Sequence, residues 1–424
     1  MIFYLEIEMP TAQNFTALLR DYMPYDLLME EMKKRNYFWG KVKKKTGWKR
    51  GATLQVPFEG AEYSSLSFGA LVDSSDIANM IPVLGSISTQ PELWGAIKFA
   101  ESDLDSTESL EQAFAQLVPG KIKQFISRME QRVSLNLLNG FVCRVLDTYK
   151  GANGDTPASG IIYVDQPQYL TIGERVNFID DDTTALTTAC YVRAIDLNTH
   201  LVTFFDARTA GAAVNLSTFT EAQNAKIHTV GGTASNFTSL RTQLLSSVNG
   251  GSATQFGQTK TAYPILQGQN FSGASATASN LLDVLNEHFF DTAAIGKGNA
   301  TEMIMSYKNF RHCINSLQDN KRYAGGDKTA GHGFKSIDLL GPDNDFKLTG
   351  IRDMADDAVM FLDWNTLCFH GDSMFERKRH MNGDEYFLER STTGYSYIVD
   401  TKINGDLVCS TPSYNGIVHG ISIA

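Results

Sequence analysis

Residues 105–140 read DSTESLEQAFAQLVPGKIKQFISRMEQRVSLNLLNG, and their spacing decides the fold. Apolar side chains recur at Leu110, Ala113, Phe114, Leu117, Ile122, Phe125, Ile126, Met129, Val133 and Leu137, the steps of three and four that lay one stripe along a helix. Asp105, with Glu108 three residues on, has the form of a helix N-terminus. Asn139-Gly140 supplies a terminator, because glycine takes the left-handed conformation that ends a helix at no steric cost. Pro119-Gly120 interrupts the pattern, since proline removes an amide donor and crowds the turn before it. The spacing predicts a kinked or broken helix whose second part, Lys121 to Asn139, is straight for ~28 Å at ~1.5 Å per residue. It is a rod with one apolar face.

Upstream, Thr53-Leu-Gln-Val-Pro-Phe58 reads as a strand, with Pro57 favouring an edge position. Residues 59–91 are rich in Ser, Gly and small apolar side chains, and Leu93 to Ala100 reads as a returning strand. Together these suggest a long two-stranded excursion. Before it, residues 1–50 carry a short helical patch (Tyr22 to Lys34) and too little apolar surface for a core, so they read as an arm that packs on something else.

Downstream, β-branched and aromatic runs at Ile161 to Val164, Arg175 to Ile179, Tyr191 to Ile195 and Leu201 to Asp206 predict a compact β subdomain with the outline of a small barrel. Asp196-Leu-Asn-Thr199 is the turn between the last two. From Arg241 to Asn280 the only charges are Arg241 and Lys260, amid Gly, Ser, Thr, Gln and Asn, and the stretch reads as loop-rich. Helices are expected at Ala278 to Phe290 and Tyr307 to Asp319. Strands are expected at Phe346 to Ile351, Ala358 to Asp363, Tyr397 to Asn404 and Leu407 to Cys409, with Asn404-Gly405 as a hairpin turn.

Length and composition set bounds on all this. At 424 residues the chain exceeds the size of a single growing core, and 42% hydrophobic with 20% charged residues is the composition of a folding chain. No apolar run approaches the ~18 residues of a membrane span, and the first ten residues lack a basic signal-peptide region, so the chain is expected to stay where it is made. Cys143, Cys190, Cys313, Cys368 and Cys409 lie far apart with no CxxC spacing, which fits buried thiols in a reducing compartment.

Motifs of chemistry are sparse. Gly296-Lys297-Gly298 lacks the first glycine and the hydroxyl of a phosphate-cradling loop. Gly371-Asp372-Ser373 matches part of a hydrolase nucleophile block, but no Asp-x-x-His follows, and a surface turn is the better reading. Among His200, His228, His288, His312, His332, His370, His380 and His419 no pair has helical metal-site spacing. Asp180-Asp181-Asp182 and Asp353, Asp356 and Asp357 read as solvated turns or faces. No catalytic residue, metal ligand or cofactor site is assigned.

Charge is uneven within a net −10. Lys33, Lys34, Arg35, Lys41, Lys43, Lys44, Lys45, Lys49 and Arg50 fall in one stretch with no acidic residue, interleaved with Tyr37, Phe38, Trp39 and Trp48. Like charges at this density repel unless a polyanion or an acidic surface lies opposite. Two readings stand: a sequence-independent nucleic-acid contact, or a solvated loop that meets the acidic surface of a neighbour.

The order of arm, β excursion, kinked long helix and β-rich remainder resembles the major capsid proteins of tailed bacteriophages, the Hong-Kong-97-type fold shared with encapsulins. Gly51-Ala-Thr-Leu-Gln-Val-Pro-Phe58 and Glu92-Leu-Trp-Gly-Ala-Ile-Lys-Phe99 look like the two sides of that family's extended loop. Phe114 to Gly140 looks like its spine helix, and Gly405 to Val418 resembles its closing strands. The resemblance implies an α+β capsid fold: arm 1–50, extended loop 51–104, spine helix and start of the peripheral domain 105–160, axial domain with peripheral strands 233–395, and C-terminal strands 396–424. The 161–232 segment departs from the minimal pattern as an inserted β subdomain.

Function follows as an expectation of the same resemblance. The chain would be a non-enzymatic virion subunit, assembled in the host cytoplasm into pentamers and hexamers around double-stranded DNA, without membrane contact. Its partners would be further copies of itself, packaged DNA met non-specifically by the basic stretch, and portal, scaffold and decoration proteins. An encapsulin-like compartment is the alternative, and a soluble β-rich hydrolase the weaker one. Some members of the family join subunits by lysine-to-asparagine isopeptide bonds, but residues 59–91 contain no lysine, so none is expected here.

Overall fold

The computed structural model describes residues 36–58, 83–100, 118–148, 160–180, 184–185, 189–208, 211–216, 225–230, 237–249, 251–295, 300–320, 336–339, 346–372, 376–377, 387–391 and 394–423. The helix start expected at Asp105, the residues before Asn36 and the excursion's tip at 59–82 lie outside them. In chain order the elements begin with α1 (Tyr37–Lys41), β1 (Lys43–Thr46), β2 (Leu54–Phe58), β3 (Val83–Ile87), β4 (Glu92–Ala100) and α2 (Val118–Leu138). The next strands are β5 (Cys143–Thr148), β6 (Ile161–Val164), β7 (Arg175–Asp180), β8 (Thr184–Ala185), β9 (Cys190–Asp196), β10 (Leu201–Phe205) and β11 (Lys226–Thr229). Then come α3 (Leu240–Leu244), β12 (Thr254–Gln255), β13 (Gln258–Thr259), β14 (Gln269–Ser272), α4 (Leu281–Ile295), β15 (Glu302–Met305) and α5 (Tyr307–Asn320). The last are β16 (Ser336–Leu339), β17 (Phe346–Gly350), β18 (Ala358–Leu362), β19 (Leu367–Gly371), β20 (Glu376–Arg377), β21 (Phe387–Ser391), β22 (Gly394–Asn404), β23 (Asp406–Cys409) and β24 (Gly416–His419).

Helix α2 forms where the periodicity places it. Pro119 and Gly120 occupy its first turn, where a missing N–H leaves no intrahelical bond unmade. Gly140, at φ 82, ends it by donating back to the carbonyls of Leu135 and Asn136. One face lies on a sheet in which β4 and β22 pair antiparallel from Ser396↔Ala100 to Asn404↔Glu92. Ile97, Phe99, Val399 and Ile403 there meet Ile126, Met129, Val133 and Leu137. Gly95 lets the helix come close: a Cβ at that position would lie 2.6 Å from the Met129 sulfur. The rod is not amphipathic throughout, because residues 132–139 are buried on every side. Leu135 faces a second core, and Arg132 reaches the same unit to bind the Tyr169 carbonyl at 2.9 Å and the Glu174 carboxylate.

That second unit is a closed barrel, β11-β5-β6-β10-β9-β7 with β7 pairing back to β11, and β8 appended to β7. Its first strand is Cys143–Thr148, upstream of the run at 161. The turn at Asp196 forms as its residues dictate: the carboxylate accepts from the amides of Asn198 and Thr199 and from the Thr199 hydroxyl. A third unit is the mixed sheet β14-β24-β18-β15-β17-β16. Helices α4 and α5 share a core with Met303, Met305, Val359, Phe361 and Val418, while the alternate residues Ile304, Ala358, Met360, Leu362 and Ile417 join the core under α2. A sheet buried on both faces explains the unbroken apolar run Ala358-Val-Met-Phe-Leu362.

Two expectations about the strands are corrected. Leu54–Phe58 pairs with Val83–Ile87, not with Glu92–Ala100. The latter is drawn into the sheet under α2 because Gly95, Ile97 and Phe99 give it a face that fits the helix. Asn404-Gly405 is not a hairpin turn: β22 pairs with β4, whereas β23 pairs with β19, so the dipeptide passes the chain between sheets. Gly405 is required there, at φ 137, since a Cβ at that position would lie only 2.3 Å from the His370 carbonyl oxygen.

The ribbon formed by β2 and β3 explains Pro57. The Ser86 amide donates to the Phe256 carbonyl and the Leu84 carbonyl accepts from the Gln258 side chain, so both face away from β2. Their partners Gln55 and Pro57 therefore point their own backbone groups to the opposite, outer edge. Proline costs no ladder bond in that position.

Candidate nucleic-acid interface

The described part of the basic stretch, Asn36 to Arg50, is pinned by its uncharged residues. Asn36 caps α1 by accepting from the Trp39 amide at 2.8 Å, and its side-chain amide donates to Asp353 at 3.1 Å. Phe38, Trp39, Val42 and Trp48 are buried. Trp39 meets Phe369 edge-on at 4.9 Å, and the Phe38 ring lies 5.8 Å from that of Trp364. Tyr37 donates to Glu302, which also accepts from Trp364 Nε1 at 2.7 Å and from the Thr349 hydroxyl. Burial and this carboxylate push the Tyr37 phenol far above its usual range. Strand β1 then adds to β19 in parallel, Lys43↔Cys368 to Thr46↔Gly371, as the edge of the sheet β1-β19-β23.

The cations take the opposite environment. Lys41, Lys43, Lys45, Lys49 and Arg50 are exposed. Lys43 donates to Asn365 at 3.0 Å, Lys41 stands 5.6 Å from the Tyr37 ring centre, and Arg50 approaches Glu92 at 3.5 Å. Lys44 is turned inward: it lies 4.8 Å over the Trp39 ring and donates to the carbonyls of Val42 and Trp39. On the neighbouring strand, burial lowers the His370 pKa and the Lys45 charge beside it lowers it further. Burial raises the Cys368 thiol, opposed by Lys45, Lys43 and Lys44. Lys33, Lys34 and Arg35 lie outside the described residues.

This arrangement limits the chemistry. Of the four aromatics in the described part, Phe38, Trp39 and Trp48 are packed into cores and Tyr37 is half-buried, so the described residues offer little of the stacking surface that holds single strands. What remains is a rigid edge of positive charge, suited to a polyanion's phosphates.

Elsewhere among the described residues, two buried polar clusters hold elements together. Asp353 and Asp357, read from sequence as solvated, are buried. Asp357 accepts from both Arg241 nitrogens at 2.9 and 2.7 Å and lies 3.3 Å from Arg144, tying α3 and the barrel to the loop before β18. Burial alone would raise its pKa, but the two guanidiniums and Lys226 override this and hold it well below the carboxylate range. Lys260 is buried and donates to the carbonyls of Thr242, Gln243 and Leu245, closing the C-terminal end of α3. Arg241 and Lys260, the only charges in their stretch, thus fasten α3 at both ends, beside the buried Leu244, Leu245 and Leu266. That isolation is the sequence signal for both. Among the described residues no group of three or more His, Cys, Asp or Glu side chains could hold a metal, and no helix is long and apolar enough to cross a membrane. His332, His380 and Ser373 lie outside the described residues.

The class defined is an α+β chain in which one long helix lies between a β-sheet, a barrel and an α/β unit, with a ribbon and a basic edge strand at the side. No family model and no curated protein matches it. Solved structures it is similar to include phage capsids, the capsid of a GTA particle and an encapsulin. The capsid of a native GTA particle aligns at 9% identity over 90% of this chain and 89% of that one, with a TM-score of 0.45. The capsid of cyanophage A-1(L) aligns at 8% identity over 91% and 93%, with a TM-score of 0.44. The SrpI encapsulin of Synechococcus elongatus aligns at 5% identity over 91% and 87%, with a TM-score of 0.36. At these scores the likeness is one of chain course, and the functional reading rests on the chain's own residues.

Proposed function

We propose that this chain is the major capsid protein of a tailed double-stranded DNA phage, assembling into the pentamers and hexamers of an icosahedral shell that encloses the genome. The observation that carries the reading is the ribbon. An isolated two-stranded hairpin is marginal in water. Here Val56, Phe58 and Ile87 are covered by the chain's own residues, while Gln55, Pro57, Ser86 and the half-exposed Leu84 form a second face that is open to a neighbour. A further copy of the chain supplies that cover in a closed symmetric assembly.

Within the shell, Lys33, Lys34, Arg35, Lys41, Lys43, Lys45, Lys49 and Arg50 face the packaged DNA and contact it without reading sequence. Lys44 serves the arm's own packing. Subunits assemble in the host cytoplasm and reside in the virion, with portal, scaffold and decoration proteins as further partners. An encapsulin-like shell is the alternative, and the cluster of cations with no acidic residue among them favours DNA over protein cargo. Negative-stain microscopy of the expressed protein should show capsomers or closed shells; a stable monomer at high concentration overturns the reading. Nuclease-protected nucleic acid inside the particles separates a phage shell from an encapsulin-like one.

A further inference from the structure

Phe256 has its backbone at φ 48, the left-handed region that bulky side chains rarely enter. With Gly257 at φ 82 it makes the two-residue turn between β12 and β13, a place that Asn-Gly would fill without strain. The contacts of this hairpin give the strain a purpose. The Phe256 carbonyl accepts from the Ser86 amide at 2.8 Å, and its ring stacks on Phe58 with centres 6.3 Å apart and planes within 8°. Gln258 donates to the Leu84 carbonyl at 2.7 Å. Gly85 is the seat of this contact, since a Cβ there would lie 2.4 Å from the Phe58 ring and 3.1 Å from Phe256 Cβ.

The hairpin's other end is fastened differently. Gln255 donates to the Gln243 side chain and the Cys409 carbonyl, both at 3.1 Å. The Lys260 amide bonds Ala253 while its ammonium binds three carbonyls at the end of α3. Gln255 and Lys260 are buried, whereas the bond from Gln258 to Leu84 is exposed to water. The ribbon itself also packs Val56, Phe58 and Ile87 on Trp48, Leu266 and Val408, but its polar bond to the hairpin is the water-exposed one, and local opening begins where bonds are exposed.

We propose that the β12–β13 hairpin is a latch that fixes the angle of the β2–β3 ribbon on its own subunit, opening on the ribbon side while its grip on α3 and β23 stays closed. For the shell reading, on which its use rests, the ribbon angle sets how a second copy is met. The latch thereby sets the curvature of the assembly.

Hydrogen exchange on the unassembled subunit tests the latch directly, using Gln258→Ala and, separately, Phe256→Asn, which keeps a residue tolerant of the left-handed backbone. Exchange of the peptide spanning 83–87 should rise about tenfold while the peptide spanning 358–362 is unchanged. Unchanged exchange at 83–87, or equal acceleration in both peptides, overturns the latch. In assembly, the same variants should broaden the distribution of particle diameters. A loosened ribbon with an unchanged single diameter overturns the curvature role. A wild-type chain that forms no particles defeats the shell reading, and the exchange result on the free subunit still decides the latch.

Discussion

Removing the carboxylate of Asp357 should be among the costliest single changes in this chain. The side chain is buried and serves Arg241 through two bonds and Arg144 through a third contact. Asp357→Ala leaves two guanidiniums facing each other in a dry site, and breaking a buried pair by deleting one partner costs roughly 3–5 kcal/mol. Urea unfolding followed through the barrel and the six-stranded sheet separately is the appropriate assay, because several cores need not melt together. Arg241→Ala alone should also be costly, whereas Asp357→Ala with Arg241→Ala should cost clearly less than the sum of the two, since the pair is then removed together and Arg144 alone loses its contact with the carboxylate. The pH dependence has a definite sign. A carboxyl whose folded pKa is depressed contributes stability that is present above its unfolded value of about 3.9 and is lost as pH falls below it. The variant should therefore lose less stability between pH 5 and acid than the parent, with about 3.9 as the upper edge of the difference. A cost under about 1 kcal/mol for Asp357→Ala, or strict additivity in the double variant, would refute the junction as described.

Converting Lys41, Lys43, Lys45, Lys49 and Arg50 together to Gln should lower DNA retention while leaving the unfolding midpoint nearly unchanged, because all five are exposed. The salt dependence of DNA binding should flatten by up to about 0.9 log units for each phosphate no longer neutralised, and an unchanged slope would show that these charges are merely solvated. Burial pushes the Asp165 carboxyl up to about 7 against the amide and guanidinium of Arg144. Stability should fall as pH rises from about 3.9 to that value, and Asp165→Asn should flatten the profile; a parent with no slope in that window contradicts the assignment. Mature particles boiled in detergent and reductant should run as one band near 46.8 kDa, since residues 59–91 hold no lysine and Lys98 sits within β4. A ladder of covalent multimers would show cross-linking through another lysine.

How much the sequence discloses depends on how local each determinant is. The second half of the helix was legible from spacing and its end from Asn139-Gly140, and β17, β18 and β23 from β-branched and aromatic runs. Strand β3 was not, because Val83-Leu-Gly-Ser-Ile87 has the composition of a loop, and its pairing is decided by Phe58 and Phe256 closing over Gly85. The barrel's closure was equally hidden, since β11 meets β5 across a long intervening stretch. In the basic stretch the charges were visible, but which lysine turns inward depends on where the Trp39 ring stands, and that ring is placed by Phe369. Asp357 read as a surface residue because its partner Arg241 lies 116 positions away.

Pro57 has a consequence for the time before subunits find one another. On the outer edge of β2 the described residues offer the amide of Gln55, and at the next outward position proline offers none. A strand that tried to zip onto that edge would find the carbonyl of Pro57 but no donor there, so one ladder bond is lost just where pairing must begin to propagate. Newly made chains can therefore accumulate at high concentration with their ribbons open and still not thread into fibres, the fate of flat, unguarded edges. Waiting is safe, and growth is left to surfaces whose shapes agree.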